Sequence, residues 1–345
     1  MSGVTVSKVV LGLDIGGANL KAATATKQAA SAGFALWKNP DGLADALRQL
    51  LAKFPEADEF AVTMTGELCD CFETKRQGVA HILKHVRAVS RSHPVRVWST
   101  AGHFLDSERA AADPMAVASA NWHALATLAG QWCPRGVGLL IDIGSTTTDL
   151  IPLLDGRPHA RGKTDPTRMR EGELLYTGVR RTPIMAVLPP GSVAAEHFAT
   201  MHDAYLLTGD LAEDAADCDT ADGRPATKAF AHARLSRMLC GDPEVTTVEE
   251  TLRLAGTARE RQSGLISHAV ALQVGQMRSL RIQSLDPARE VVVTCGSGEF
   301  QAVNALRALH QFPAEHVSVT RQFGPELAAC APAYAVAVLA TERPS

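Results

Sequence analysis

Two short apolar runs, each broken by the same polar sequence, stand out along the chain. Residues 11–21 read LGLDIGGANLK and residues 139–149 read LLIDIGSTTTD. Each has an apolar stretch suited to a buried strand, then Asp-Ile-Gly, then small or hydroxylated residues, then a charged residue seven places after the Asp. A second β-prone stretch follows each motif, Ala22 to Thr26 and Leu150 to Leu154. Strand, glycine turn, strand predicts a hairpin, and its recurrence predicts two related half-molecules.

The periodicity elsewhere predicts the elements around these hairpins. Asp41 to Phe54 has helical spacing with Asp41 as its N-cap. Glu59 to Thr65 reads as a strand, Lys75 to Ser90 as a helix and Val95 to Trp98 as a short strand. Pro114 to Trp132 is Ala-rich and helical, and Pro114 suits a first helical position. Cys133-Pro134-Arg135-Gly136 is a linker ahead of the second hairpin. Residues 155–190, rich in Arg, Gly, Pro and Thr, read as loops inserted near the site, and the acidic 210–225 as a surface loop or a short helix and loop. Thr246 to Leu280 predicts a long helix, Glu290 to Thr294 a strand, Glu299 to His310 a helix, Val317 to Thr320 a last strand and Pro325 to Ala340 a closing helix. The expected class is α/β. A first domain spans 1–133 and a second 134–345 with inserted loops at about 155–225, while the C-terminal helix, 325–341, packs near their interface.

A chain of 345 residues suits two domains, and 46% hydrophobic against 21% charged residues argues against disorder. With 34 Lys and Arg against 37 Asp and Glu, no basic excess exists to follow a nucleic-acid backbone. Seven cysteines, an odd number without a C-x-x-C, point to a reduced, cytoplasmic protein rather than a disulfide scaffold. Cys69 and Cys71 would face opposite sides of a strand, which argues against a shared metal. The apolar run Val9–Leu13 ends at Asp14, too early for a signal-peptide core, and no stretch is long enough to span a membrane.

The glycine turns are the candidate chemistry. In Asp14-Ile15-Gly16-Gly17-Ala18-Asn19 the backbone N–H groups are open to phosphate oxygens. Asp14 suits Mg²⁺, and Asn19 and Lys21 add a donor and a charge. In the second motif, Asp142 is followed by Gly144, Ser145, Thr146 and Thr147, a hydroxyl-rich phosphate cradle. A third turn, Gly296-Ser297-Gly298, links the strand ending at Thr294 to a helix whose free N–H groups attract anions. It is neither a P-loop nor a dinucleotide fingerprint, because the lysine and the glycine spacing are missing. His81 and His85 are four apart on a predicted helix, but without the Glu of H-E-x-x-H they do not make a metal site. His202-Asp203 precedes an apolar strand-like run and reads as a cap or surface pair. Asp210, Glu213, Asp214, Asp217, Asp219 and Asp222 lack Ca²⁺-loop spacing and read as a solvated loop, with Asp222-Gly223 as a turn at the site mouth.

In this order the three turns resemble the phosphate-1, phosphate-2 and adenosine loops of the actin, Hsp70 and sugar-kinase superfamily. The resemblance implies two RNase-H-like domains with a cleft between them, with the first interdomain connection at Thr63-Met64-Thr65-Gly66 and the second at the C-terminal helix. More closely, residues 14–21, Thr63 to Phe72, Lys75 to Val79, Tyr176 to Pro183 and Thr220 to Pro225 resemble hydantoinase/oxoprolinase-like proteins of tetrahydromethanopterin-linked one-carbon metabolism. That family includes the archaeal ether-forming synthase of methanofuran biosynthesis, and bacterial members by analogy serve methylofuran synthesis.

The implied reaction displaces diphosphate from an aminomethylfuran-methyl diphosphate by the phenol of a glutamyltyramine. Departure of the leaving group calls for Mg²⁺ and cationic or N–H donors around the diphosphate. The resemblance gives Asp14 and Asp142 to the metal. It gives Lys21 and one or more of Arg168, Arg170, Arg180 and Arg181 to the diphosphate. Glu67 and Asp70 serve as base or aminomethyl ligand, and Lys75 as partner of the glutamyl carboxylate. The partner is a small phosphorylated molecule, with no nucleic acid and no membrane, and there is room for a homodimer. Two other readings stand beside the transferase. One is an ATP-dependent small-molecule kinase of the same fold, with ATP as cofactor, and the other a non-enzymatic nucleotide-binding regulator.

Overall fold

A computed structural model describes residues 8–309 and 315–343. Both Asp-Ile-Gly motifs form hairpins, and each hairpin founds a mixed sheet. In the first sheet β1 (Val10–Ile15), β2 (Asn19–Thr24), β3 (Ala29–Gly33), β4 (Glu59–Met64), β5 (Val95–Trp98) and β6 (Phe104–Asp106) take the order β3-β2-β1-β4-β5-β6. β1 is antiparallel to β2 and parallel to β4. The second sheet comprises β7 (Val137–Ile143), β8 (Thr148–Leu154), β9 (Arg157–Pro158), β10 (Leu174–Leu175), β11 (Glu290–Cys295) and β12 (Glu315–Ser318). Its order is β10-β8-β7-β11-β12, with β9 beside β8. Here too the hairpin is antiparallel, and β11 runs parallel to β7 and β12. The expected α/β class with two related sheets is the observed one.

Strand alternation decides what each sheet shows to the other. Leu11, Leu13 and Ile15 of β1 pack outward with Leu47 and Ile82, from the helices Leu43–Leu51 and Lys75–Ser90. Leu139, Ile141 and Ile143 of β7 pack outward with Val270 and Val274 of the long helix Val248–Ser279. The inner faces share one core. Val10, Ala61, Leu140, Ile151 and Val293 meet there on two helices, Asn121–Ala129 and Ala331–Glu342. Gly12 lets the Ala-rich terminal helix lie directly on β1, since a Cβ there would stand 1.9 Å from the Ala333 carbonyl oxygen. Asp14 shares the parity of Gly12, and Asp142 that of Leu140. Both aspartates therefore end strands on faces that look toward the other half.

Helix Lys75–Ser90 has the predicted bounds, capped by Thr74, whose Oγ1 accepts from Gln77 N at 3.2 Å. Other elements differ from expectation. Asp41 is not an N-cap: Asn39 caps a 3₁₀ turn, Pro40–Gly42, and the α-helix runs over Leu43–Leu51. The segment expected to be one helix from Pro114 to Trp132 is three, Pro114–Val117, Asn121–Ala129 and a 3₁₀ turn Gly130–Trp132. Ser119, at φ +49°, breaks it. The run after His202 is a helix, Met201–Thr208, ended by Gly209 at φ +80°. Residues 155–190 hold two short helices, Asp165–Arg170 and Ile184–Val187. The last strand ends at Ser318, whose side chain accepts from Arg321 N and opens a helical turn. The closing helix is split between Pro325–Ala329 and Ala331–Glu342. His310, the expected end of one helix, lies outside the described residues.

Thr63 to Gly66 does not connect the two halves. It ends β4 inside the first sheet, and the chain reaches the second sheet only after the helix Asn121–Ala129. No helix among the described residues is long and apolar enough to cross a membrane. The seven cysteines are free, and Cys69 and Cys71 lie after the 3₁₀ turn Gly66–Leu68 rather than on a strand.

Candidate active site between the two hairpins

The first turn closes with Gly16 N donating to Asn19 O at 3.0 Å, and it is braced from outside by Phe34 N to Ala18 O and Leu36 N to Gly17 O. Gly17 lies so close to Cys69 that a Cβ would be 2.7 Å from its Sγ. Burial, then Cys71 and Asp70, push that thiol up to about 11, so Cys69 is a packing group there. Asp14 is buried; its Oδ2 is 3.9 Å from Lys21 Nζ and its Oδ1 has no partner. Burial raises its pKa against the opposing charge of Lys21. Beside it in register on β4 stands Thr63, fully buried, whose hydroxyl is also unpartnered.

The second turn closes likewise, Gly144 N to Thr147 O at 2.9 Å. Residues 178–181 clasp it. Val179 N donates to Gly144 O, and Arg180 N and Arg181 N both donate to Ser145 O. Gly178 permits the clasp, since a Cβ would stand 2.5 Å from Thr146 N. Asp142 is partly exposed and is raised to about 6 by burial and by Asp149. Lys21 and Asp14 also act on its charge, so the two hairpin aspartates share one electrostatic neighbourhood across the halves. The third turn is fixed to the second: Gly298 N donates to Ile143 O at 2.8 Å, and Gly296, at φ +89°, would put a Cβ 2.3 Å from the same oxygen. Ser297 is exposed. Glu299, which opens the following helix, is held by Thr294 Oγ1 at 2.6 Å and Thr320 N at 3.2 Å.

Glu67 is fully buried in the 3₁₀ turn after β4. Its Oε1 accepts from Ser119 Oγ at 2.7 Å, and its Oε2 has no partner. Ser119 Oγ also lies 3.0 Å from Asp165 Oδ2, and Lys75 Nζ donates to Asp165 at 2.8 Å and to Ser119 at 3.2 Å. Asp165 belongs to the second half, so this cluster joins the two. Burial raises the Glu67 pKa, with the Ser119 hydrogen bond opposing.

Several expected site residues are placed elsewhere. Asp70 is exposed and does not join Glu67. Lys75 is committed to Asp165 rather than open to a glutamyl carboxylate. Arg168 is no diphosphate clamp: it is buried, pairs with Asp149 and stacks on Trp122 at 4.2 Å. Arg170 is exposed. The Arg180 side chain turns away to Asp217 and Asp219, which leaves Arg181, stacked on Trp37 of the first half at 4.6 Å. His202 and Asp203 are buried in a helix rather than on the surface, and Asp203 does act as a cap, its Oδ2 accepting from Thr200 N at 2.9 Å. Burial and Arg180 hold His202 down at about 4. Asp203 pairs with Arg234 at 2.7 Å, and Arg234 reaches Asp222 of the acidic loop at 2.9 Å.

Thr63, Ser119, Asp149 and Asp165 are the members of the site that the sequence reading missed. Asp149 had a signal, as the charged end of the second motif. Ser119 and Asp165 had none, because only tertiary contact brings them to Glu67.

Known proteins similar to this chain identify its family. A synthase from Methanocaldococcus jannaschii, named for (4-{4-[2-(gamma-L-glutamylamino)ethyl]phenoxymethyl}furan-2-yl)methanamine, is 31% identical over 96% of this chain and 97% of its own. A synthase of the same name from Methanococcus vannielii is 32% identical over 58% of this chain and 89% of its own. Among solved structures, nucleotide-free acetone carboxylase superposes with a TM-score of 0.51 at 12% identity, over 96% of this chain and 70% of that one, a likeness of fold alone. The hydantoinase/oxoprolinase family model matches residues 58–343. With a full-length relative at that identity and a family model over most of its length, this chain belongs to the hydantoinase/oxoprolinase family.

Proposed function

We propose that the protein is an ether-forming transferase of methanofuran-type cofactor biosynthesis. It joins the phenol of a (glutamyl)tyramine to the methylene carbon of an aminomethylfuran-methyl diphosphate and releases diphosphate. The observation that carries this reading is the full-length relative whose name describes a phenoxymethyl bridge between a glutamylaminoethyl-substituted ring and a furan methanamine.

The hairpins fit a magnesium diphosphate. Two strand-end aspartates with raised pKa values in one neighbourhood, an unpartnered Asp14 oxygen and an unpartnered Thr63 hydroxyl form a hard, oxygen-only donor set. Asp14 and Asp142 would hold Mg²⁺, which when bound neutralises charge building on the leaving diphosphate. The chain's own groups do the rest. Lys21 and the backbone N–H groups of Gly17, Asn19 and Ser145 would bind and orient phosphate oxygens. Thr147 belongs to the second of these turns and the exposed Ser297 to the third, which is tied to the second through Gly298 N and Ile143 O. Arg181, on its Trp37 platform, faces the substrate from the second half. Glu67 keeps Oε2 uncommitted and, with its pKa raised by burial, accepts the phenol proton. Glu67 is enclosed, so for it to serve as the base the two halves would have to part to admit the phenol.

The test is incubation with the furan-methyl diphosphate and glutamyltyramine, reading diphosphate release and the mass of the ether. Stoichiometric diphosphate and ether are expected. ATP consumption with a phosphorylated product and no ether would establish the kinase instead.

A further inference from the structure

A second cluster of ligating side chains lies in the first half, away from the cleft. Helix Lys75–Ser90 carries His81 and His85 one turn apart, so both rings lie on one face of the helix. The 3₁₀ turn Pro40–Gly42 is folded against that face and brings Asp41 to the pair. One ligand atom from each of Asp41, His81 and His85 lies within 4.8 Å of the other two. The imidazole centroids are 4.3 Å apart. His81 Nε2 is 2.9 Å from the Pro40 carbonyl oxygen. A carbonyl only accepts, so Nε2 carries the proton and Nδ1 keeps its lone pair. A second ring nitrogen bonded to a carbonyl is the outer support that metal-ligating histidines use to fix tautomer and orientation. The Phe72 ring, 5.0 Å from that of His81, packs against the same imidazole.

We infer that Asp41, His81 and His85 bind one divalent transition-metal ion of the Zn²⁺ class. Two imidazoles and a carboxylate suit such an ion and are a poor set for Mg²⁺, which takes oxygen ligands. Three protein ligands leave a fourth position for water. The ion would bolt the turn Pro40–Gly42, and with it the helix Leu43–Leu51, to the helix that carries Lys75. Asp41 is exposed and the two histidines half-buried, so the site opens to solvent and loads without unfolding. None of the three residues belongs to the diphosphate site, and the inference stands whether or not the proposed reaction does.

The experiment titrates the metal-stripped full-length protein with Zn²⁺ by calorimetry and with Co²⁺ by visible absorption, beside His85→Ala and Asp41→Asn. One ion per chain is expected, with the strong visible bands of low-coordinate Co²⁺. Each variant should lose at least about tenfold in affinity. Zn²⁺ should raise the unfolding temperature of the wild type and not that of the variants. Equal metal-free unfolding temperatures show that the variants fold, and if His85→Ala does not, Asp41→Asn carries the comparison. Two results overturn the site: an ion that both variants bind as tightly as the wild type, or no ion retained through desalting.

Discussion

Opposite Asp14 across the first hairpin stands Lys21, and opposite Asp142 across the second stands Asp149. The two motifs are near-copies for three residues and then differ in the sign of the charge that faces the aspartate. In the first hairpin the cross-strand pair is complementary and local. In the second it sets two carboxylates side by side, an unfavourable pair on any sheet. The structure answers with Arg168, carried in from the helix Asp165–Arg170 and buried against Asp149. Cys295 stands beside Asp142 in register on β11. One turn is thus balanced by its own strand, while the other depends on the inserted segment 155–190.

Breaking that dependence should have the largest effect. Arg168→Ala leaves Asp149 buried without its cation and should destabilise the protein by about 3–5 kcal/mol in denaturant unfolding. The matching change in the first hairpin, Lys21→Met, removes a half-exposed partner at 3.9 Å and should move stability by less than about 1 kcal/mol. It should instead slow diphosphate release about 10²-fold, measured under saturating substrates. Equal stability losses from the two variants would contradict the contrast between the hairpins.

Asp142 sharpens it further. Its folded pKa is raised from 3.8 to about 6, so the folded state favours the protonated acid. The metal-free protein should therefore lose stability as pH rises from about 4 to 6. Asp142→Asn should remove that loss and stabilise the metal-free protein by about 3 kcal/mol at pH 7, with no gain below about pH 4. Thermal unfolding across that pH range reads both. The smallest effect is expected at the bridge between halves. Trp37→Ala removes the stacking surface under Arg181 and should cost about 0.5–1 kcal/mol in unfolding, with a modest rise in KM for the diphosphate.

The hairpins, the strands at Glu59–Met64, Val95–Trp98 and Glu290–Cys295 and helix Lys75–Ser90 were legible because each is a local pattern: an apolar run, a glycine turn, a helical spacing. The roles of the charged residues were far less so. Lys75, Arg168 and Arg180 all looked like free cations, yet each has a carboxylate partner at least nineteen residues away in the chain. His81 and His85 looked incomplete as ligands because Asp41 lies forty residues upstream and reaches them only when one turn folds onto one helix. The helix Pro114–Trp132 failed at Ser119 for the same reason. A residue that sequence places mid-helix takes φ +49° where its hydroxyl meets Glu67 and Asp165.

By itself the sequence determined the two aspartate-tipped hairpins and their membership of one α/β design, because apolar runs and glycine turns are properties of neighbouring residues. Only the tertiary structure decided which carboxylates keep a free oxygen and which cations are already taken. Burial and charge pairing depend on every element that packs around a group, and those elements come from distant parts of the chain.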